Sequence, residues 1–186
     1  MNIGKTVKIQ FLIIFFIIFG LFLLSACDET ETKQTGLIKL KGDEADQTGW
    51  NVEVSFFDSS VTKAILHARR TRVYNTRMET LLDSGVKVDF LSRYSGRILS
   101  TLTSDSARVD DRTKDMLASG HVVVLGDSTK TSLETSTLHW NNKTQKLFTT
   151  EFVKITSPKE TIMGYGMESD QSLANYKIFK VSGVQR

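Results

Sequence analysis

The sequence predicts an all-β fold of antiparallel strands, on three observations. Serine and threonine are abundant while proline occurs once, at Pro158, a composition suited to pleated, half-buried segments. Apolar and polar residues alternate with period two: Val52, Val54 and Phe56 around Glu53 and Ser55, Val86, Val88 and Phe90 around Lys87 and Asp89, Leu138 and Trp140 around His139, Val153 and Ile155 around Lys154. That period marks strands with one face in a core. A repeat runs beneath the alternation. Tyr74-Asn75-Thr76-Arg77 leads to Leu81-Leu82-Asp83-Ser84-Gly85-Val86-Lys87-Val88. About 35 residues on, Val109-Asp110-Asp111-Arg112 leads to Met116-Leu117-Ala118-Ser119-Gly120-His121-Val122-Val123-Val124. After about 31 more, Trp140-Asn141-Asn142-Lys143 leads to Leu147–Ile155, and a weaker copy spans 169–181.

The first 26 residues read as a lipoprotein signal peptide. Lys5 and Lys8 precede an apolar run from Phe11 to Leu24, 14 residues long. A basic start, a short apolar stretch and small residues before a break define a secretory signal, and the run is below the roughly 17–25 residues of a permanent span. Leu24-Ser25-Ala26-Cys27 resembles the lipobox of bacterial lipoproteins. That resemblance implies acylation of Cys27, which becomes the first mature residue, and a stable membrane anchor. A cleaved soluble protein and an uncleaved anchor are the alternatives. Asp28 resembles the inner-membrane retention signal of lipoproteins in enteric bacteria. Cys27 is the single cysteine, so an exported domain must rest on its own core without an internal disulfide.

Residues 27–48 are polar, rich in Asp, Glu and Thr, and read as a tether between lipid and domain. Within them Leu37-Ile38-Lys39-Leu40 has the apolar content of a short strand. Residues 49–186 then form one domain, an antiparallel β-jellyroll or curved hairpin-repeat sheet with open ends. Removing residues 1–26 takes two of the 24 basic residues and none of the 21 acids, so the mature chain is near neutral and is not a polyanion binder by bulk charge. Each repeat unit reads as strand, polar turn, strand, corner, strand. The Asn/Asp pairs suit the turns, and Gly85 and Gly120 suit the corners, where positive φ or a bulge is needed. Residues 76–82 are the one stretch that also reads as helix. Hairpin units with one apolar face can close as a sandwich, a barrel or a half-open trough. The inward phase is ambiguous at Leu147/Phe148, Phe152/Val153 and Ile178/Phe179, where neighbours are both apolar.

Catalytic chemistry finds no footing. Gly4-Lys5-Thr6 lacks the preceding glycine of a phosphate loop, and Gly164-Tyr165-Gly166 lacks the third glycine of a dinucleotide turn. His67, His121 and His139 are scattered, without metal-ligand spacing. No G-x-S-x-G occurs. Asp110 and Asp111 correspond in the repeat to Asn141 and Asn142, which cannot do acid–base work, so turn formation explains them better. Arg69, Arg70, Arg72, Arg77 and Lys63 form a basic group in sequence; a solvated outer face explains it better than capture of anionic headgroups. No catalytic residue, metal or cofactor is expected.

The order of the motifs resembles a known family. Gly120-His121-Val122-Val123-Val124, then Thr135–Asn142, then Leu147–Ile155, then Ile162-Met163-Gly164-Tyr165-Gly166-Met167, with Leu66-His67-Ala68 to Val73-Tyr74 upstream, resemble the lipopolysaccharide-export family LptC and the related LptA/OstA repeats over about residues 50–183. The resemblance implies a β-jellyroll whose slot holds acyl chains of lipopolysaccharide. It also implies docking to an inner-membrane ABC permease with its ATPase, and to a periplasmic LptA-like bridge protein by edge-strand addition. Better-known relatives are anchored by a transmembrane helix, and here a lipobox takes its place. On this reading Val86, Val88, Phe90, Val122, Val124, Leu138, Trp140, Val153, Ile155 and Ile178 line the slot, and the protein sits in the periplasm, lipid-anchored at the inner membrane. The competing expectation is a lipoprotein scaffold or adhesin with a closed, filled β-sandwich.

Overall fold

The computed structural model describes residues 44–185. The signal peptide, Cys27, most of the tether and the Leu37–Leu40 segment lie outside the described residues. Ten strands follow one another: β1 (Gln47–Asp58), β2 (Val61–Tyr74), β3 (Glu79–Leu91), β4 (Ile98–Ser104), β5 (Ser106–Asp110), β6 (Met116–Gly126), β7 (Ser132–Asn141), β8 (Lys146–Thr156), β9 (Thr161–Asp170) and β10 (Tyr176–Gln185). All pair antiparallel in one sheet, with β4 and β5 sharing the place between β3 and β6. The fold is therefore all-β, as expected, with no helix among the described residues. Of residues 76–82, where a helix was the alternative, 76–78 lie in the β2–β3 turn and 79–82 begin β3.

The strands are long because most of them are two strands joined at a crease. Register shifts fall between Ala68 and Arg70, Ser119 and Val122, Thr135 and His139, and Thr149 and Phe152, and Asp105 separates β4 from β5 at the same level. Extra residues of this kind bend a strand and increase its twist. The crease requires unusual backbone: Ser84, Gly85, Gly120, His121 and Gly166 all have positive φ. The amide of Gly85 donates to the Asp105 carbonyl at 3.1 Å, and the Asp105 amide donates to the Gly120 carbonyl at 2.9 Å. A Cβ on Gly120 would collide with the Asp105 side chain, whose Cβ would lie 2.9 Å away. Gly85 and Gly120 thus occupy the corners that the repeat predicts.

The crease folds the sheet into two facing leaves. The first carries the 75–78, 111–115, 142–145 and 171–175 turns on its far rim. The second carries those at 59–60, 92–97, 127–131 and 157–160. The first-leaf turns are built by the expected Asn and Asp side chains. Asp110 Oδ1 accepts from the amides of Arg112 and Thr113, Asn141 Oδ1 from Thr144, and Asp170 from Ala174 and Asn175. These bonds also explain the repeat, since each of these turns carries a positive-φ residue, Lys114, Gln145 or Leu173.

The core lies between the leaves. Trp140 of the first leaf is 1% exposed. It meets Phe56 edge-on at 5.3 Å and Phe90 at 5.4 Å, both from the second leaf. Aromatic pairs at these separations add to the free energy of area burial. The ambiguous phases resolve with the branched or unbranched aliphatic inward: Leu147 and Val153 are buried, while Phe148 and Phe152 are exposed. Ile178 packs on the core and Phe179 faces out. In β7 the inward set changes from Leu133 to Leu138 and Trp140 across the crease, an odd-to-even switch at the register shift with β8, which carries the extra residue of the pair.

Candidate functional site

All ten predicted lining residues face the interior. Nine are fully buried and Ile178 is partly buried against them. They form a wall that is closed by its own packing: the centre of the molecule, around Trp140, Phe90, Val124 and Leu138, is filled by side chains from both leaves.

The open apolar space lies elsewhere, toward β1. A cavity of about 530 Å³ is bounded by Val54, Phe56 and Leu66 of the second leaf and by Val73, Leu82 and Val109 of the first. This volume is in the range of sites that hold small ligands, roughly 300–1,000 Å³. Polar groups gather at its first-leaf rim, where Asp111, Lys114 and Asn142 belong to two neighbouring turns. Thr80 Oγ1 donates to Asp111 at 2.9 Å and Lys114 pairs with Asp111 at 3.3 Å. Inside, Thr71 Oγ1 is buried without a protein partner, and so is Asn142 Oδ1. None of the ten predicted residues borders this cavity. The space arises from how the leaves are offset, which no strand alternation reports.

The offset is visible in the contacts that bridge the two far rims. Lys63 Nζ donates to the Asn142 carbonyl at 3.2 Å. Ser100 Oγ donates to the Gln171 carbonyl, and Thr129 Oγ1 to the Ser172 carbonyl at 3.1 Å. The 171–173 turn, with Leu173 buried, is thereby sewn to the β4 and β6–β7 region. The β1 side carries the Lys63–Asn142 bond beside the cavity.

The basic residues separate in space. Arg70 Nε and Arg72 both donate to the Asp83 carboxylate, at 2.5 and 2.7 Å. The hydrogen bond from Arg70, with Arg72 adding to it, outweighs burial and holds the Asp83 carboxyl below the usual carboxylate range. Arg77 lies 3.8 Å from the Tyr74 ring centroid and pairs with Glu79. Lys63 stands at the opposite rim, so the sequence cluster is not one surface patch. The histidines also lie apart: His67 beside Glu53, His121 on Asp105 at 2.7 Å, His139 stacked on Phe148 at 4.7 Å.

Both ends of the sheet are free among the described residues. β1 pairs only with β2, and β10 only with β9. The β10 end carries an outward apolar surface that sequence reading did not single out. Phe152 and Tyr165 meet edge-on at 5.3 Å, and Phe179 and Val181 are more than half exposed. Its sequence signal was the doubled apolar pairs, each of which sends one member outward.

A creased antiparallel sheet, apolar within, cavity-bearing at one end and with strands unpaired at both edges among the described residues, is a β-jellyroll-like fold. The chain matches the family described as "Lipopolysaccharide-assembly, LptC-related" over residues 11–183, and it belongs to that family. No curated protein matches it. It is accordingly a component of lipopolysaccharide transport, periplasmic and membrane-associated, from a family of transport components and not of known enzymes. No helix among the described residues is long and apolar enough to cross a membrane. The match begins at Phe11, the first residue of the apolar run.

Proposed function

We propose that this protein takes acyl chains of lipopolysaccharide between its leaves and passes the lipid from an inner-membrane ABC permease to a periplasmic LptA-like bridge protein. The single observation that supports this most is the apolar cavity at the β1 end, continuous in chemistry with the buried wall of Val86, Val88, Phe90, Val122, Val124, Leu138, Trp140, Val153, Ile155 and Ile178. The cavity is the entry, and the wall is the path along which chains move when the leaves part. Many weak apolar contacts suit a carrier, because cargo must also leave. Direction comes from the ATPase of the permease. The free edges at β1 and β10 accept neighbouring strands through main-chain hydrogen bonds. Acylated Cys27 holds the domain at the inner membrane through the tether 27–48.

A photo-crosslinking residue at Leu82 on the cavity wall, or at Phe90 in the middle, is expected to form lipopolysaccharide adducts in cells. The same residue at outward-facing Lys87 is not. Adducts at Lys87 alone would overturn the interior path in favour of a closed scaffold. Cys27→Ser is expected to release the domain from membranes; full retention would assign anchoring to the apolar run.

A further inference from the structure

Lys63 begins the second leaf's rim on β2, and its side chain is 8% exposed. An ammonium so buried is tolerated only when paired and hydrogen-bonded. Its carboxylate partner, Asp58 at 3.4 Å, is on the same hairpin and is shared with Arg93 at 3.0 Å. Its other partner is the neutral carbonyl of Asn142, on the other leaf and 79 positions away in sequence. Asn142 itself borders the cavity, so this bond ties the leaves together at the cavity's rim. Lys114, the cation that borders the cavity itself, already has Asp111, and Lys63 adjoins the cavity through Asn142. Lys63 is therefore a cation that shares its one carboxylate and spends a hydrogen bond on an uncharged group of the facing leaf. An oxyanion would give it both a hydrogen bond and charge neutralisation.

We propose that Lys63 is the latch and headgroup reader of the β1-end cavity, exchanging the Asn142 carbonyl for the anionic head of an amphiphile whose chain enters between the leaves. This rests on the acyl-chain reading of the cavity. The exchange frees the Asn142 turn from the second leaf as the chain goes in, so that opening is coupled to the charge of the cargo.

The test uses the full chain in detergent-free vesicles with a dansyl-labelled undecanoic acid and its methyl ester. The acid is expected to bind roughly tenfold more tightly than the ester, the scale of one hydrogen bond to a charged group. Lys63→Met is expected to bring the two within about twofold of one another, while Lys114→Met keeps the preference. A preference that survives Lys63→Met overturns the assignment. Binding of neither probe, or binding that Leu82→Trp leaves unchanged, defeats the acyl-chain reading and the headgroup role with it. The latch is judged separately by amide exchange without probe. In Lys63→Met the 142–145 turn is expected to exchange about tenfold faster, with the 126–133 region near the other rim contacts unchanged. Equal exchange in both proteins overturns the latch.

Discussion

The middle of the molecule and its β1 end are made from the same alternating strands, yet one is filled and the other is hollow. In the middle, Trp140 reaches across from the first leaf and occupies the space between Phe56 and Phe90. At the β1 end the facing residues are Val54, Leu66, Val73, Leu82 and Val109, with no tryptophan among them, and a cavity of about 530 Å³ remains. Side-chain volume at facing positions, rather than hydrophobicity, separates core from container. Both regions satisfy period two equally well.

Mutations should break this contrast in a graded way. The largest effect is expected from Trp140→Ala, which removes the bridge between leaves and costs about 3–5 kcal/mol, read as a fall in the midpoint of denaturant unfolding. Leu82→Ala enlarges an existing cavity and is expected to cost less, about 2 kcal/mol, at the low end of such truncations. Equal losses at the two sites would mean that the β1 end is as tightly filled as the middle. Next comes the crease. Gly120→Ala meets both positive φ and the Asp105 side chain, whereas Gly85→Ala meets positive φ with no atom within 4 Å. The first is expected to cost roughly 2–3 kcal/mol and the second about 1, by thermal unfolding of each variant.

A smaller effect concerns pH. The Asp83 carboxyl is held low by Arg70 first, then by Arg72, against its burial. Folded, it releases its proton more readily than unfolded, so its stabilisation is complete above the ordinary aspartate value of about 3.9 and fades as pH falls through the folded value. Asp83→Asn is expected to cost about 1 kcal/mol at neutral pH, because the arginines are partly solvated, and the gap to the parent should shrink below about pH 4. The smallest effect is at the outward surface of the β10 end. Phe179→Ser is expected to change stability by less than about 0.5 kcal/mol, while weakening any assembly that uses this edge, measured by co-purification of a strand-adding partner.

The fold was largely legible in the sequence because its signals are local. Alternation placed the strands, Asn141 and Asp110 marked the turns through bonds spanning only a few residues, and Gly85 and Gly120 marked the corners. Eight of the ten interior residues had a legible phase for the same reason, while Val153 and Ile178 stand beside an apolar neighbour and turn inward only as the packing of the leaves decides. The cavity was not legible. Its walls join β1 to β5, and its position depends on which first-leaf turn lies across from which second-leaf strand. The Lys63–Asn142 contact that records this offset joins residues from different hairpins. In sequence Lys63 looked like one more surface cation near the arginines. Only the burial around it, with Asp58 and Asn142 at hand, sets it apart.

The crease also dictates where this chain can change length. Every long strand crosses it, and inward residues on one side are matched to inward residues on the other through a fixed number of intervening positions. Deleting Ser136 would turn half of β7 inside out, setting Glu134 or His139 against the oily interior. Additions at the tips near 94 or 159 would merely lengthen an exposed loop. Related sequences should thus differ freely in length at the rims and hardly at all along the fold line.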